Sequence, residues 1–187
     1  MNNNIISVTE QLNKPLGKIQ VNQFVNVLLQ KPEYIDVFIT ILEKKEKRLS
    51  MNTAWILASL NDEDFTLLLP YFHRFIAINK QTKSDSVRRN TTKIIGKAMM
   101  HIPKDEILEL GDLYDLCVSW MVSENFAIAV RCNAMSIVAN FCLLEPELIS
   151  ETIEQIEFTK EYTSTGFKSR STKLINQLQK FQNKNLF

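Results

Sequence analysis

Val87-Arg88-Arg89-Asn90-Thr91-Thr92-Lys93-Ile94-Ile95-Gly96-Lys97-Ala98 returns, altered, as Val130-Arg131-Cys132-Asn133-Ala134-Met135-Ser136-Ile137-Val138-Ala139-Asn140-Phe141. Val, Arg, Asn and an apolar pair hold their places in both copies. Extended without gaps, this register puts Leu49, Val87, Val130 and Phe167 in one column. Asn52, Asn90, Asn133 and Arg170 form a second, and the apolar pair becomes Ile56-Leu57, Ile94-Ile95, Ile137-Val138 and Leu174-Ile175. The columns recur at intervals of 38, 43 and 37 residues. Two helices of four or five turns, with the turns that join them, use about 40 residues. One such hairpin cannot cover its own apolar face, so the period predicts hairpins stacked on their neighbours. The expected fold is all-α, with about four helical hairpins.

The rest of the chain fits around these columns. Residues 1–17 are polar and broken by Pro15 and Gly17, and read as a lead-in or one helical turn. Residues 18–181 form the repeat domain, and 182–187 are expected to fray. Lys18 to Gln30 shows a helical apolar face. Pro32 is expected at the first position of the next helix, where its missing N–H has no partner to lose. The run Lys44-Lys45-Glu46-Lys47-Arg48 is expected to place cations at that helix's C-terminus, as the dipole favours. Asn61-Asp62-Glu63-Asp64 reads as a cap for a helix from Phe65 to Ile76, kinked at Pro70. Ser84 or Asp85 caps a helix to about Met100. Pro103 opens one that reaches Met121, with Gly111 a weak spot. Phe126 to Leu143 is apolar almost all round, which predicts burial on several sides. Glu145-Pro146-Glu147 opens the fourth pair, and a loop over Thr159–Gly166 leads to Phe167–Phe181, whose wide polar face suits a terminal helix.

Composition narrows the functional classes. The 187 residues are 45% hydrophobic and 23% charged, ordinary for a globular chain. Only 4 Gly and 5 Pro argue against a many-stranded sandwich. A net charge of +1, from 22 basic and 21 acidic side chains, disfavours a dedicated nucleic-acid binder but leaves room for a local basic stripe. Cys117, Cys132 and Cys142 form no C-x-x-C, and His73 and His101 add no zinc pattern, so neither metal nor cofactor is expected. The cysteines read as buried thiols of a reducing cytoplasm. The N-terminus lacks a signal-peptide pattern, and no apolar run nears the ~20 residues that span a bilayer, so no membrane partner is expected.

The Val-Arg openings, the small residues that follow and the apolar pair resemble the second helix of a HEAT repeat. Leu67-Leu68-Leu69-Pro70-Tyr71-Phe72 is similar to that family's proline-kinked first helix. The resemblance covers roughly residues 31–181. The first pair has Ser50, and the fourth Lys168, where the arginine stands in the middle pairs. The resemblance implies a right-handed α–α superhelix, a HEAT-like solenoid, that binds other macromolecules without chemistry of its own. Armadillo repeats share the architecture.

Basic side chains recur on the second helices, which line the concave face in such solenoids: Arg88, Arg89, Lys93, Arg131, Lys168, Arg170 and Lys173. They suit an anionic phosphate backbone or acidic peptide. The alternative is structural, because an arginine just after a turn commonly bonds turn carbonyls or a nearby carboxylate. That alternative is favoured for Arg88 and Arg131, although Arg131 stays in the candidate binding set with Arg89, Lys93, Lys168, Arg170 and Lys173. HEAT-architecture glycosylases acting on alkylated DNA bases would need aromatic side chains and a carboxylate beside the lesion. Trp55 and Trp120 instead sit at core-like spacing. No G-x-S-x-G, phosphate loop or H-E-x-x-H occurs. The Gly-Ser-Ser signature of the helical fumarase and adenylosuccinate lyases is missing. The expected function is therefore a non-catalytic scaffold for a protein partner, with nucleic-acid binding as the alternative.

Overall fold

The structure, a computed structural model, describes residues 8–161 and 163–185, and these contain helices and no strand. The chain divides into two compact units, Met1–Ala98 and Met99–Phe187.

The first unit contains α1 (residues 8–12), α2 (Lys18–Gln30), α3 (Tyr34–Glu43), α4 (Lys47–Leu57), a 3-10 segment Asp64–Tyr71, α5 (Phe72–Gln81) and α6 (Asp85–Ala98). α3 pairs with α4 and α5 with α6; α3 then stacks on α5 and α4 on α6, with α2 beside α4. The repeat columns explain this layering. Leu49, Val87, Ile56, Leu57, Ile94 and Ile95 are all buried between the second helices and their partners. Burying one such side chain contributes about 1.5–3 kcal/mol. Leu12 is fully buried, and Asn52 Nδ2 donates to the carbonyls of Leu12 (2.8 Å) and Lys14 (2.9 Å). The second-column asparagine of this hairpin thus fastens the lead-in to α4. Residues 1–7 of that lead-in lie outside the described residues.

Four local expectations are corrected here. Pro32 does not open α3: the helix starts at Tyr34, and the Tyr34 and Ile35 amides donate to the carbonyls of Lys31 and Pro32 in a preceding turn. Pro70 does not sit in a continuous kinked helix. It ends a tighter 3-10 stretch, and α5 begins two residues later, because proline offers no N–H for the i−4 carbonyl. No side chain caps that stretch at Glu63. The basic run lies at the end of α3 only in part, with Lys44 as its C-cap. That helix stops at Glu43, Lys45 turns the chain at φ 59°, and Lys47 and Arg48 open α4, where the dipole disfavours cations. Ser84 caps α6 as expected, its Oγ accepting from the Val87 amide at 3.4 Å.

A guanidinium ties the first helices together. Arg74 on α5 reaches Asp36 at 2.6 Å and grips both Glu43 oxygens at 2.8 Å, all on α3. Hydrogen bonding to Arg74 holds the Glu43 carboxyl below its ordinary pKa.

The second unit begins with a 3-10 turn, Met99–His101, followed by α7 (Lys104–Leu108), α8 (Gly111–Val122), α9 (Ile128–Leu144), a 3-10 turn Pro146–Leu148, α10 (Ile149–Lys160) and α11 (Thr165–Asn185). The helix expected to run unbroken from Pro103 is corrected to two. α7 ends at Leu108, and α8 restarts at Gly111, the weak spot. α8 pairs with α9 and α10 with α11; α8 stacks on α10 and α9 on α11. Surrounded in this way, α9 buries Val130, Ala134, Met135, Ile137, Val138 and Phe141, as its all-round apolarity requires. Thr152 knots three helices: Tyr114 Oη lies 3.4 Å from its Oγ1, and Cys142 Sγ donates to it at 3.2 Å. The loop before α11 is shorter than expected, and α11 continues to Asn185. Residues 186 and 187, expected to fray, lie outside the described residues. No helix among the described residues is long and apolar enough to cross a membrane.

Candidate functional site

The arginines after the turns serve the fold. Arg88 Nη2 donates to the carbonyl of Thr82, which ends α5, and Nη1 lies 3.6 Å from Asp85. Burial lowers the Arg88 pKa and Asp85 opposes it. Arg131 is 3% exposed; its Nε donates to the Met121 carbonyl at 3.0 Å, and its guanidinium lies 5.0 Å from the Phe167 ring centre. Its place in the candidate binding set is therefore corrected: Phe167 and the end of α8 enclose it.

The other candidates divide between the units. Arg89 is exposed on α6. Lys93, also on α6, donates through Nζ to the Ala58 carbonyl at 2.8 Å, at the end of α4. Burial, reinforced by Lys97, lowers its pKa, and Asp62 works the other way. Its ammonium is thus occupied in holding two second helices together. On α11, Lys168, Arg170 and Lys173 are exposed, and Arg170 Nη2 donates to Ser136 Oγ on α9 at 2.8 Å. Lys173 also borders a shallow hollow with Lys180 and Lys184. From Thr165 to Asn185, α11 carries Lys168, Arg170, Lys173, Lys180 and Lys184 and no acidic residue.

The remaining candidate chemistry resolves similarly. Trp120 is buried, with its ring centre 6.1 Å from that of Phe126, whereas Trp55 is half-buried. Both histidines are exposed. Met99 is buried and Met100 is 77% exposed, which separates two side chains the sequence left undivided. The three thiols are buried and free, and burial raises the pKa of each. No group of three metal-binding side chains occurs among the described residues.

One feature escaped the sequence reading. Within the first unit, the α3–α4 turn and the α5–α6 turn border a recess of about 890 Å³. Its apolar lining includes Leu42, Met51, Ile78 and Val87, and its rim carries Lys45, Lys47 and Lys83. The signal was present: Lys45 and Lys83 each stand four residues before the buried column residue, Leu49 or Val87. It does not stand out in the sequence, because each lysine belongs to an ordinary-looking turn.

Paired antiparallel helices, stacked so that every second helix buries the same column, define the class of α-helical repeat proteins. Residues 8–178 match the HEAT repeat domain family, and the chain belongs to it. No curated protein and no solved structure matches the chain.

Proposed function

We propose that this HEAT repeat chain is a non-catalytic scaffold that holds a protein partner, acting in the cytoplasm. One observation carries the reading. The repeated arginines Arg88 and Arg131 are consumed in fastening hairpins, while Arg89 on α6 and Lys168, Arg170 and Lys173 on α11 stand exposed. The motif thus builds a frame, and its variable neighbours form a surface. A reducing cytoplasm suits three free, buried thiols. The test is affinity capture from a native lysate, then reconstitution with the purified partner. Saturable binding to a defined protein is the expected result; a chain that captures nothing above a scrambled-surface control sinks the reading.

The acid-free cationic face of α11 favours a second reading, nucleic-acid backbone binding. Anisotropy of a labelled 20-mer, read from low to physiological salt, tests it. Retention with a steep salt slope, abolished by K173E/K180E/K184E, supports this alternative. Loss of all binding near physiological salt rejects it.

A further inference from the structure

Resting on the scaffold reading, we infer that the recess between the α3–α4 and α5–α6 turns is the docking groove, and that its occupant is an extended partner segment in which carboxylates alternate with aliphatic side chains.

The charges of the groove are unbalanced in a specific way. Its two acids are already engaged inside the fold: Glu43 by Arg74, and Asp85 by Arg88. Lys45, Lys47 and Lys83 are exposed and have no acidic partner among the described residues. One helix N-terminus adds to this field: α4 starts at Lys47 on the groove lining with no side-chain cap and no acid in its first turn, whereas that of α6 is already met by Ser84 and Asp85. Lys47 at the start of α4 opposes the dipole and is unfavourable for the helix alone. An anion beside it offsets that penalty.

A separate observation points to a ligand. Ser50, on the groove lining, is 4% exposed, and its Oγ has no hydrogen-bond partner among the described residues. Buried hydroxyls are ordinarily paired. A bound carboxylate or peptide carbonyl would supply what Ser50 lacks. This is also the position where the first hairpin carries serine instead of the hairpin-fastening arginine of the two middle pairs.

The form of the groove selects the occupant. A compact anion such as free phosphate would require the lysines to converge, but they are spread along two turns. A membrane surface calls for protruding side chains, whereas here Leu42, Ile78 and Val87 are buried floor residues. At about 890 Å³ the recess admits several side chains. Extended peptides read such a surface by sending alternate side chains to floor and rim.

The experiment selects a random 12-residue peptide library on the full chain, then measures binders by anisotropy against variants. Expected are sequences rich in Asp or Glu interleaved with Leu, Ile or Val. Their affinity should fall at least tenfold on K45E/K47E/K83E and several-fold on S50A, and stay unchanged on K173E/K180E/K184E. Helical circular dichroism confirms that each variant is folded. An empty selection, equal affinity for wild type and the groove variant, or equal loss on the α11 variant overturns the inference. So does light scattering that shows a dimer dissociated by the groove variant, since the occupant is then a second copy. Lysate capture with wild type and groove variant in parallel separates the two readings. Proteins held equally by both overturn the groove and leave the scaffold standing. Groove-dependent peptides with no protein captured support the groove and overturn the scaffold.

Discussion

Val87-Arg88 on α6 and Val130-Arg131 on α9 hold the same position in their hairpins, and both arginines bond a carbonyl near the end of the preceding helix, Thr82 in one case and Met121 in the other. Their surroundings differ. Arg88 keeps part of its guanidinium in solvent beside Asp85; Arg131 is sealed beneath Phe167. The same contrast extends one turn further. On α6, Thr91 and Thr92 accept hydrogen bonds from Asn79 Nδ2 at 2.8 and 2.9 Å, forming a buried polar knot with α5. The aligned α9 residues are Ala134 and Met135, both buried and apolar. One repeat position therefore supports either a buried polar network, in which Asn79 Nδ2 is paired and its Oδ1 is not, or plain packing. The polar version carries a cost that the apolar one avoids, because a buried polar atom left unpaired, as Asn79 Oδ1 is, loses its hydration without compensation.

Breaking the arginines should give the largest difference. Arg131→Ala removes a charge-assisted bond and opens a void under Phe167, so a loss of about 3 kcal/mol is expected in urea unfolding. Arg88→Ala, partly solvated, should lose only about 1 kcal/mol. Equal losses would dissolve the contrast. The knot comes next. Asn79→Ala removes the donor shared by both threonines, whose own hydroxyls still donate to the Val87 and Arg88 carbonyls, and should cost about 1 kcal/mol, whereas adding Thr91→Ala and Thr92→Val should restore part of it. A triple variant worse than the single one would show that the network cannot be exchanged for packing.

Smaller effects sharpen the picture within each unit. Iodoacetamide should reach Cys132, at 9% exposure, well before the fully buried Cys117 and Cys142, as peptide mapping of the time course would show. Modification of all three at one rate would mean that the second unit opens as a whole. The smallest effect concerns Glu43. Arg74 depresses its folded pKa, so the pair's contribution is complete above the unfolded value of about 4.3 and is lost as pH falls through the lower folded value. Because both side chains are more than a third exposed, only a few tenths of a kcal/mol are expected. Glu43→Gln should remove this pH dependence between pH 5 and 2, and an unchanged profile would show that the pair contributes nothing.

The boundaries of the helices were harder to read than their existence. Pro70 and Gly111 were legible as breaks, but the tight 3-10 stretch before Phe72 and the separate α7 were not. Both depend on where backbone carbonyls find partners, and nothing local reports that. The basic run Lys44–Arg48 misled for the same reason: its place relative to α3 and α4 turned on a single left-handed residue, Lys45. Of the candidate cations, Arg131 and Lys93 are engaged by carbonyls on other helices, whereas Lys45, Lys47 and Lys83, which the repeat columns do not mark, border the recess of the first unit.

Leu49, Val87, Val130 and Phe167 could be aligned from the amino-acid order alone because each must leave water, and burial at a fixed interval writes itself into composition at that interval. Hence the all-helical class, the hairpins and their stacking were readable in advance. Which charges remain free was settled by folding. A lysine or arginine is engaged through space by a carbonyl or carboxylate, 6 positions away for Arg88, 10 for Arg131, 35 for Lys93 and 38 for Arg74, and no periodicity records those distances.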